Sequence, residues 1–253
     1  MKKKKMKELK MQFDFPAATS HGEIREVFED VFIVTGSVMM VPQVQISRNM
    51  IILREGEALT LISTVRLNDE GLKTLDALGR VENIVKLGAY HLGAHNGLDD
   101  PFYSHRYAPK LWALDGMEHR DGLETTHILR PGSDMPVHQA SLFNYASSKM
   151  PEGMLLLHKE GGILISADSL QNWVEADEFF SEIAAARMQQ AGFIQPANIG
   201  PEWLRVCQPE PQEFAKVVEL EFAHLLPSHG TPILNTAKEE YKATFAILSF
   251  WKI

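Results

Sequence analysis

The sequence predicts an α/β (α+β) fold arranged as a four-layer αββα sandwich. Two observations carry that expectation. Short β-branched and apolar runs separated by turn residues recur in two stretches, residues 12–65 and 141–166. Each stretch is followed by segments with helical apolar periodicity. Each half thus offers a sheet and helices to cover one side of it. Packing sheet on sheet with helices outside buries both apolar faces. The 253 residues, 45% hydrophobic, suffice for such a core. The expected organisation is a disordered basic tail at 1–11 and a single domain at 12–253 built of two similar halves.

In order, Val31–Thr35 reads as a strand ended by Gly36, Val44–Ser47 alternates, and Asn49 opens a turn before Met50–Leu53. Leu59–Val65 has little polar alternation and reads as a central strand. Asn68 is a candidate N-cap for a helix over 69–79, with Leu72, Leu75 and Leu78 as its stripe and Gly79 as its stop. Residues 81–87 read as a strand, and an irregular loop from Gly88 carries His91, His95, Asp99, Asp100 and His105. Lys110–Leu114, 141–145, 154–158 and 162–166 are further strands, the last two joined by a turn at Lys159–Gly162. Helices are expected over about 177–191, 211–225 with Pro211 near the start, and 236–250. The polar stretch 115–140 reads as a lid or a long connection.

The net charge of −8 argues against a nucleic-acid footprint. The single cysteine, Cys207, fits a reducing, cytoplasmic setting. The lysine-rich start lacks the apolar region of a signal peptide, and the absence of 18 consecutive apolar residues argues against a membrane span. Edge strands and the C-terminal Phe250–Ile253 leave room for a homodimer.

Two segments carry most of the chemical information. Ile163-Leu-Ile-Ser-Ala-Asp168 and Leu226-Pro-Ser-His229-Gly230 are apolar runs that each end on a metal-competent side chain. A lone carboxylate where a buried strand ends is costly unless it is paired or coordinated. The alternatives are a helix cap or turn residue at Asp168 and a hydrogen-bonded turn histidine at His229. Asp99 and Asp100 repel one another, a penalty that a cation removes, but a solvated acidic turn is the alternative. Phe102, Tyr103, Tyr107 and Trp173 read either as cleft walls or as packing beneath the loop.

These segments resemble the metallo-β-lactamase superfamily of αββα metallohydrolases over about residues 20–250. Ser166-Ala-Asp168 stands for the family's Gly-Asp element, and Pro227-Ser-His229-Gly230 matches its terminal turn. In the family's His-x-His-x-Asp-His motif, His95 supplies the first histidine, Gly97 takes the place of the second, Asp99 the aspartate and Asp100 the third histidine. Ser133 follows Pro131-Gly132 where a histidine is expected, His138 lies five residues further on, and a slipped register would admit His91 or His105. The resemblance implies a divergent member with one retained site for a divalent metal (zinc, manganese or iron), held by His95, Asp99, Asp100, Asp168 and His229. It implies hydrolysis of a small-molecule substrate, with Asp99 or Asp168 orienting the water and accepting its proton, and with His95 or His138 steadying the developing anion. The alternative is a catalytically inactive or weakly active binding protein on the same fold.

Overall fold

The computed structural model describes residues 15–90 and 97–248. The basic tail at 1–11, His91, His95 and the Phe250–Ile253 segment lie outside the described residues. The first sheet runs in chain order: β1 (Arg25–Phe28), β2 (Val31–Val41), β3 (Val44–Glu55), β4 (Ala58–Ile62), β5 (Arg80–Lys86), β6 (Lys110–Leu114) and β7 (His127–Leu129). β1 to β4 are antiparallel neighbours, and β4 to β7 are parallel. Parallel neighbours need crossovers, supplied by α1 (Asp69–Leu78) before β5 and α2 (Asp99–Tyr107) before β6. The second sheet contains β8 (Ala140–Asn144), β9 (Gly153–Leu157) and β10 (Ile163–Ser166), then β13 (His224–Pro227) parallel to β10. Between β10 and β13 lie β11 (Leu170–Trp173), α3 (Glu182–Gln190), β12 (Gln195–Ile199), α4 (Pro201–Cys207) and α5 (Pro211–Glu219); α6 (Ala237–Leu248) follows β13.

Side-chain alternation along the strands builds the layers. Ile51 and Val85 of the first sheet meet Leu155, Ile163 and Ile165 of the second. The neighbouring residues Ile52 and Ile84 point the other way, onto Leu72 and Leu75 of α1 and Tyr103 of α2. Leu156 and Leu164 turn outward onto Trp203 of α4, Phe214 of α5 and Tyr241 of α6. The result is the four-layer αββα sandwich that the patterning predicts.

Several elements differ from the sequence expectation. Residues 99–107 form a helix, not an irregular loop. Asp99-Asp100-Pro101 opens that helix, with two carboxylates in its first turn where the backbone dipole favours them. The helix expected over 177–191 starts only at Glu182, where the Ser181 hydroxyl caps it. The helix expected to reach 225 ends at Glu219, because His224–Pro227 pair with β10.

Gly36 and Asn49 end nothing: they pair with Arg48 and Thr35 inside the long β2–β3 ladder. A Cβ on Gly36 would come within 2.3 Å of the Val65 side chain, so close packing accounts for that glycine. The Asn49 amide donates to the carbonyls of Pro227 (2.9 Å) and Gly230 (2.6 Å), and its oxygen accepts from Thr35 Oγ1 (2.7 Å). Its backbone N–H donates to the Ser228 carbonyl. One buried side chain thus ties the first sheet to the turn that carries His229. Asn49→Ala leaves one buried and one part-buried carbonyl without their donor and is expected to cost about 2–4 kcal/mol. Urea unfolding checks this, with Asn68→Ala, loss of the α1 cap, as a comparison at about 1 kcal/mol.

Candidate functional site

The parallel pairing of β10 and β13 places Ser166 opposite Pro227. Two residues beyond each lie Asp168 and His229, so strand register alone brings them side by side. His229 Nε2 lies 3.1 Å from Asp168 Oδ1, with His229 3% exposed. The imidazole rests beside the Trp173 ring at 4.8 Å between centroids. The Ser228 hydroxyl donates to Ser63 Oγ (2.7 Å) and also lies 2.9 Å from the Ser166 carbonyl. Gly230 has φ of +94°, and a Cβ there would lie 2.1 Å from the Asn172 carbonyl; only glycine lets the turn pass.

Below Asp168 sits Glu152, a residue that sequence reasoning missed. It is fully buried, and its Oε1 accepts from the backbone N–H groups of Asp168 and Ser169, both at 2.9 Å. Its second oxygen is buried and faces Gly88, where a Cβ would lie 2.3 Å away. Burial, with the nearby Asp168 charge, pushes the Glu152 carboxyl well above the usual range. A charge between Pro151 and Gly153 in an ordinary-looking turn carried no signal of this role.

Asp99 and Asp100 turn inward, Asp99 onto Arg48 and Asp100 onto the Thr64 hydroxyl. Arg48 of β3, 5% exposed, donates through Nη2 to Asp99 Oδ2, which also accepts from the Arg66 N–H at 3.2 Å. Asp100 accepts from Thr64 Oγ1 at 2.5 Å. Lys86, at the end of β5, is buried and lines the same narrow space of about 20 Å³ as Arg48, Asp99 and Asp100. Burial pulls the Arg48 guanidinium down to about 10, with Asp100 and Tyr103 opposing, so it stays charged at neutral pH. Burial likewise lowers the Lys86 ammonium, again opposed by Asp100.

The remaining candidates are placed elsewhere. His105 is exposed on α2 beside the Phe15 ring. Ser133 is exposed and donates to the Arg130 carbonyl within its own turn. His138 bonds Glu55, which pairs with Ala58 at the start of β4; Ser63 and Thr64 follow the other end of that strand. Five strand residues span about 17 Å, so His138 cannot stand in for a ligand near Asp99. Tyr103 is core, its hydroxyl bonding Val65, and Tyr107 bonds Asp76; neither lines the cleft. Trp173 does. With Ile46, Met188, Phe193 and Trp203 it walls a cavity of about 300 Å³ that reaches Asp168 and His229.

No described protein family matches this sequence, and no curated protein does. Solved structures do match. The metallo-β-lactamase FIM-1 from Pseudomonas aeruginosa, in its mono-zinc form, is 14% identical, with 93% of this chain and 99% of that one covered and a TM-score of 0.61. A metallo-β-lactamase from Pontibacter korlensis is 13% identical over 90% of this chain and 99% of that one, with a TM-score of 0.58. One from Hirschia baltica is 16% identical over 88% and 97%, with a TM-score of 0.54. The chain has the metallo-β-lactamase fold.

On this metallo-β-lactamase fold the resemblance implies a metal held by His95, Asp99, Asp100, Asp168 and His229. Among the described residues, no group of three or more His, Cys, Asp or Glu side chains is placed to hold one. Asp168 and His229 meet, but Asp99 is paired with Arg48 and Asp100 accepts from Thr64, and a divalent ion beside them would face the Arg48 and Lys86 charges that share the space. Of the five residues that the resemblance implies, the four described ones, Asp99, Asp100, Asp168 and His229, are therefore not gathered into one donor set.

Glu152 gives a pH test with a definite sign. Its raised folded-state value means that its contribution to stability is full below the ordinary carboxylate range and is lost as pH rises through the raised value. Glu152→Gln keeps an acceptor for the Asp168 and Ser169 N–H groups and cannot ionise. Its stability relative to the parent is expected to climb in urea unfolding as pH rises above the ordinary carboxylate range. Parallel stability curves for the two proteins would contradict the assignment.

Proposed function

We propose that this protein is a small-molecule-binding member of the metallo-β-lactamase fold, with little or no metal-dependent hydrolytic activity. The observation that carries the reading is the Arg48 guanidinium on Asp99, with the Thr64 hydroxyl on Asp100 and the buried Lys86 lining the same space. The buried Arg48 guanidinium and Lys86 ammonium put two positive charges beside the two carboxylates, which lowers the electrostatic demand for a metal there. The ligand site in this reading is the apolar cavity of about 300 Å³, a volume within the range of small-molecule pockets. Asp168 and His229 supply its polar end and Trp173 its aromatic wall.

A metal-hydrolase reading draws on the same pair together with His91 and His95. Metal analysis of protein purified without chelator separates the two. The binding reading expects substoichiometric zinc, manganese and iron, no rise in melting temperature on adding these ions, and no turnover of chromogenic β-lactam or ester substrates. A stoichiometric metal lost on Asp99→Asn or Asp168→Asn, with turnover lost alongside it, would overturn the reading.

A further inference from the structure

The tip of the β2–β3 hairpin borders two cavities. Met40 belongs to the one over Asp168 and His229; its neighbour Met39 borders another, of about 200 Å³, lined also by Arg48, Arg66, Asp99 and Leu98. We propose that this second cavity is a binding site for small monocarboxylic acids, their carboxylate held between the Arg48 and Arg66 guanidiniums.

Arg48 donates to Asp99 through Nη2, but among the described residues its buried Nε has no hydrogen-bond partner. Arg66 follows β4 and lies flat over the Phe102 ring, 3.3 Å from its centroid. A stacked guanidinium can donate only from its edge. The Nε of Arg66 also lacks a partner, and among the described residues no carboxylate forms an ion pair with its side chain. The two arginines thus line one cavity, each fixed in place, Arg48 by burial in the sheet and Arg66 by its aromatic platform.

Charge and volume set the ligand class. The cavity is lined by two guanidiniums and one carboxylate, Asp99, which Arg48 already engages. One positive charge is left over, which suits a monoanion, and Asp99 opposes a dianion such as phosphate. Planar carboxylate oxygens match the arginine fork. The volume is somewhat larger than the roughly 150 Å³ cavity that holds benzene. Pro16, Ala17, Val38 and Met39 give it apolar walls for a single ring or short chain. The site uses neither Asp168 nor His229 and is independent of the ligand proposed for their cleft.

Isothermal titration of the full chain at low salt with benzoate, benzamide and inorganic phosphate tests the assignment. Benzoate is expected to bind saturably at one per chain, with benzamide and phosphate at least about tenfold weaker. Arg66→Gln is expected to weaken benzoate at least about tenfold with the melting transition retained, because Arg66 is half-exposed. Met39→Trp, at an exposed hairpin position, fills the cavity with both arginines intact and should abolish binding. Absence of saturation, equal affinity for benzamide, tighter binding of phosphate, or benzoate binding unchanged in either variant would each overturn the proposal.

Discussion

Arg48 sits inside the first sheet with its guanidinium on Asp99, and the architecture of the rim follows from that contact. A guanidinium removed from water is costly unless its charge is met at close range. The α2 N-terminus meets it, presenting Asp99 and Asp100 in a first turn where the helix dipole also favours them. Lys86 and Thr64 complete the set from the ends of β5 and β4. Asp99, which the metallo-β-lactamase resemblance assigns to a metal, is here matched by a cation fixed in the chain itself. The same arrangement leaves Arg66 without an ion-pair partner among the described residues, and so makes the neighbouring cavity electropositive.

A second constraint acts on the opposite sheet. β10 and β13 are parallel and in register, so the residues just past their ends emerge together, and Asp168 meets His229. Asn49 and Glu152 fix the two loops from either side, one through the carbonyls of the His229 turn, the other through the N–H groups of Asp168 and Ser169. Each is a buried polar side chain that satisfies backbone groups left over where strands stop. The pair is therefore positioned by the scaffold, whatever ligand it serves.

The four layers were legible because they rest on local periodicity: alternating strands, the Asn68 cap, the leucine stripe of α1 and the proline that opens α5. Asp168 and His229 were legible as polar ends of buried runs. Arg48 was not, since its partner lies 51 positions away and nothing local marks a strand arginine as buried. Asn49 read as a turn former because asparagine usually is one; here its amide is spent on a turn some 180 residues downstream. The start of α2 was readable in Asp99-Asp100-Pro101, but the glycines and histidines before it favoured a loop. The family motif aligned Asp99 and Asp100 with metal ligands, and motif spacing carries no information about the cations opposite them.

The Arg48–Asp99 contact is the claim on which the functional reading stands, and a double-mutant cycle measures it most directly. Stabilities of the parent, Arg48→Met, Asp99→Asn and the double variant would be compared by urea unfolding. A buried, charge-assisted pair predicts that each single change is strongly destabilising and that the double variant recovers about 2–3 kcal/mol of their sum. Additivity within about 0.5 kcal/mol would contradict the pairing and return Asp99 to the pool of free carboxylates available to a metal.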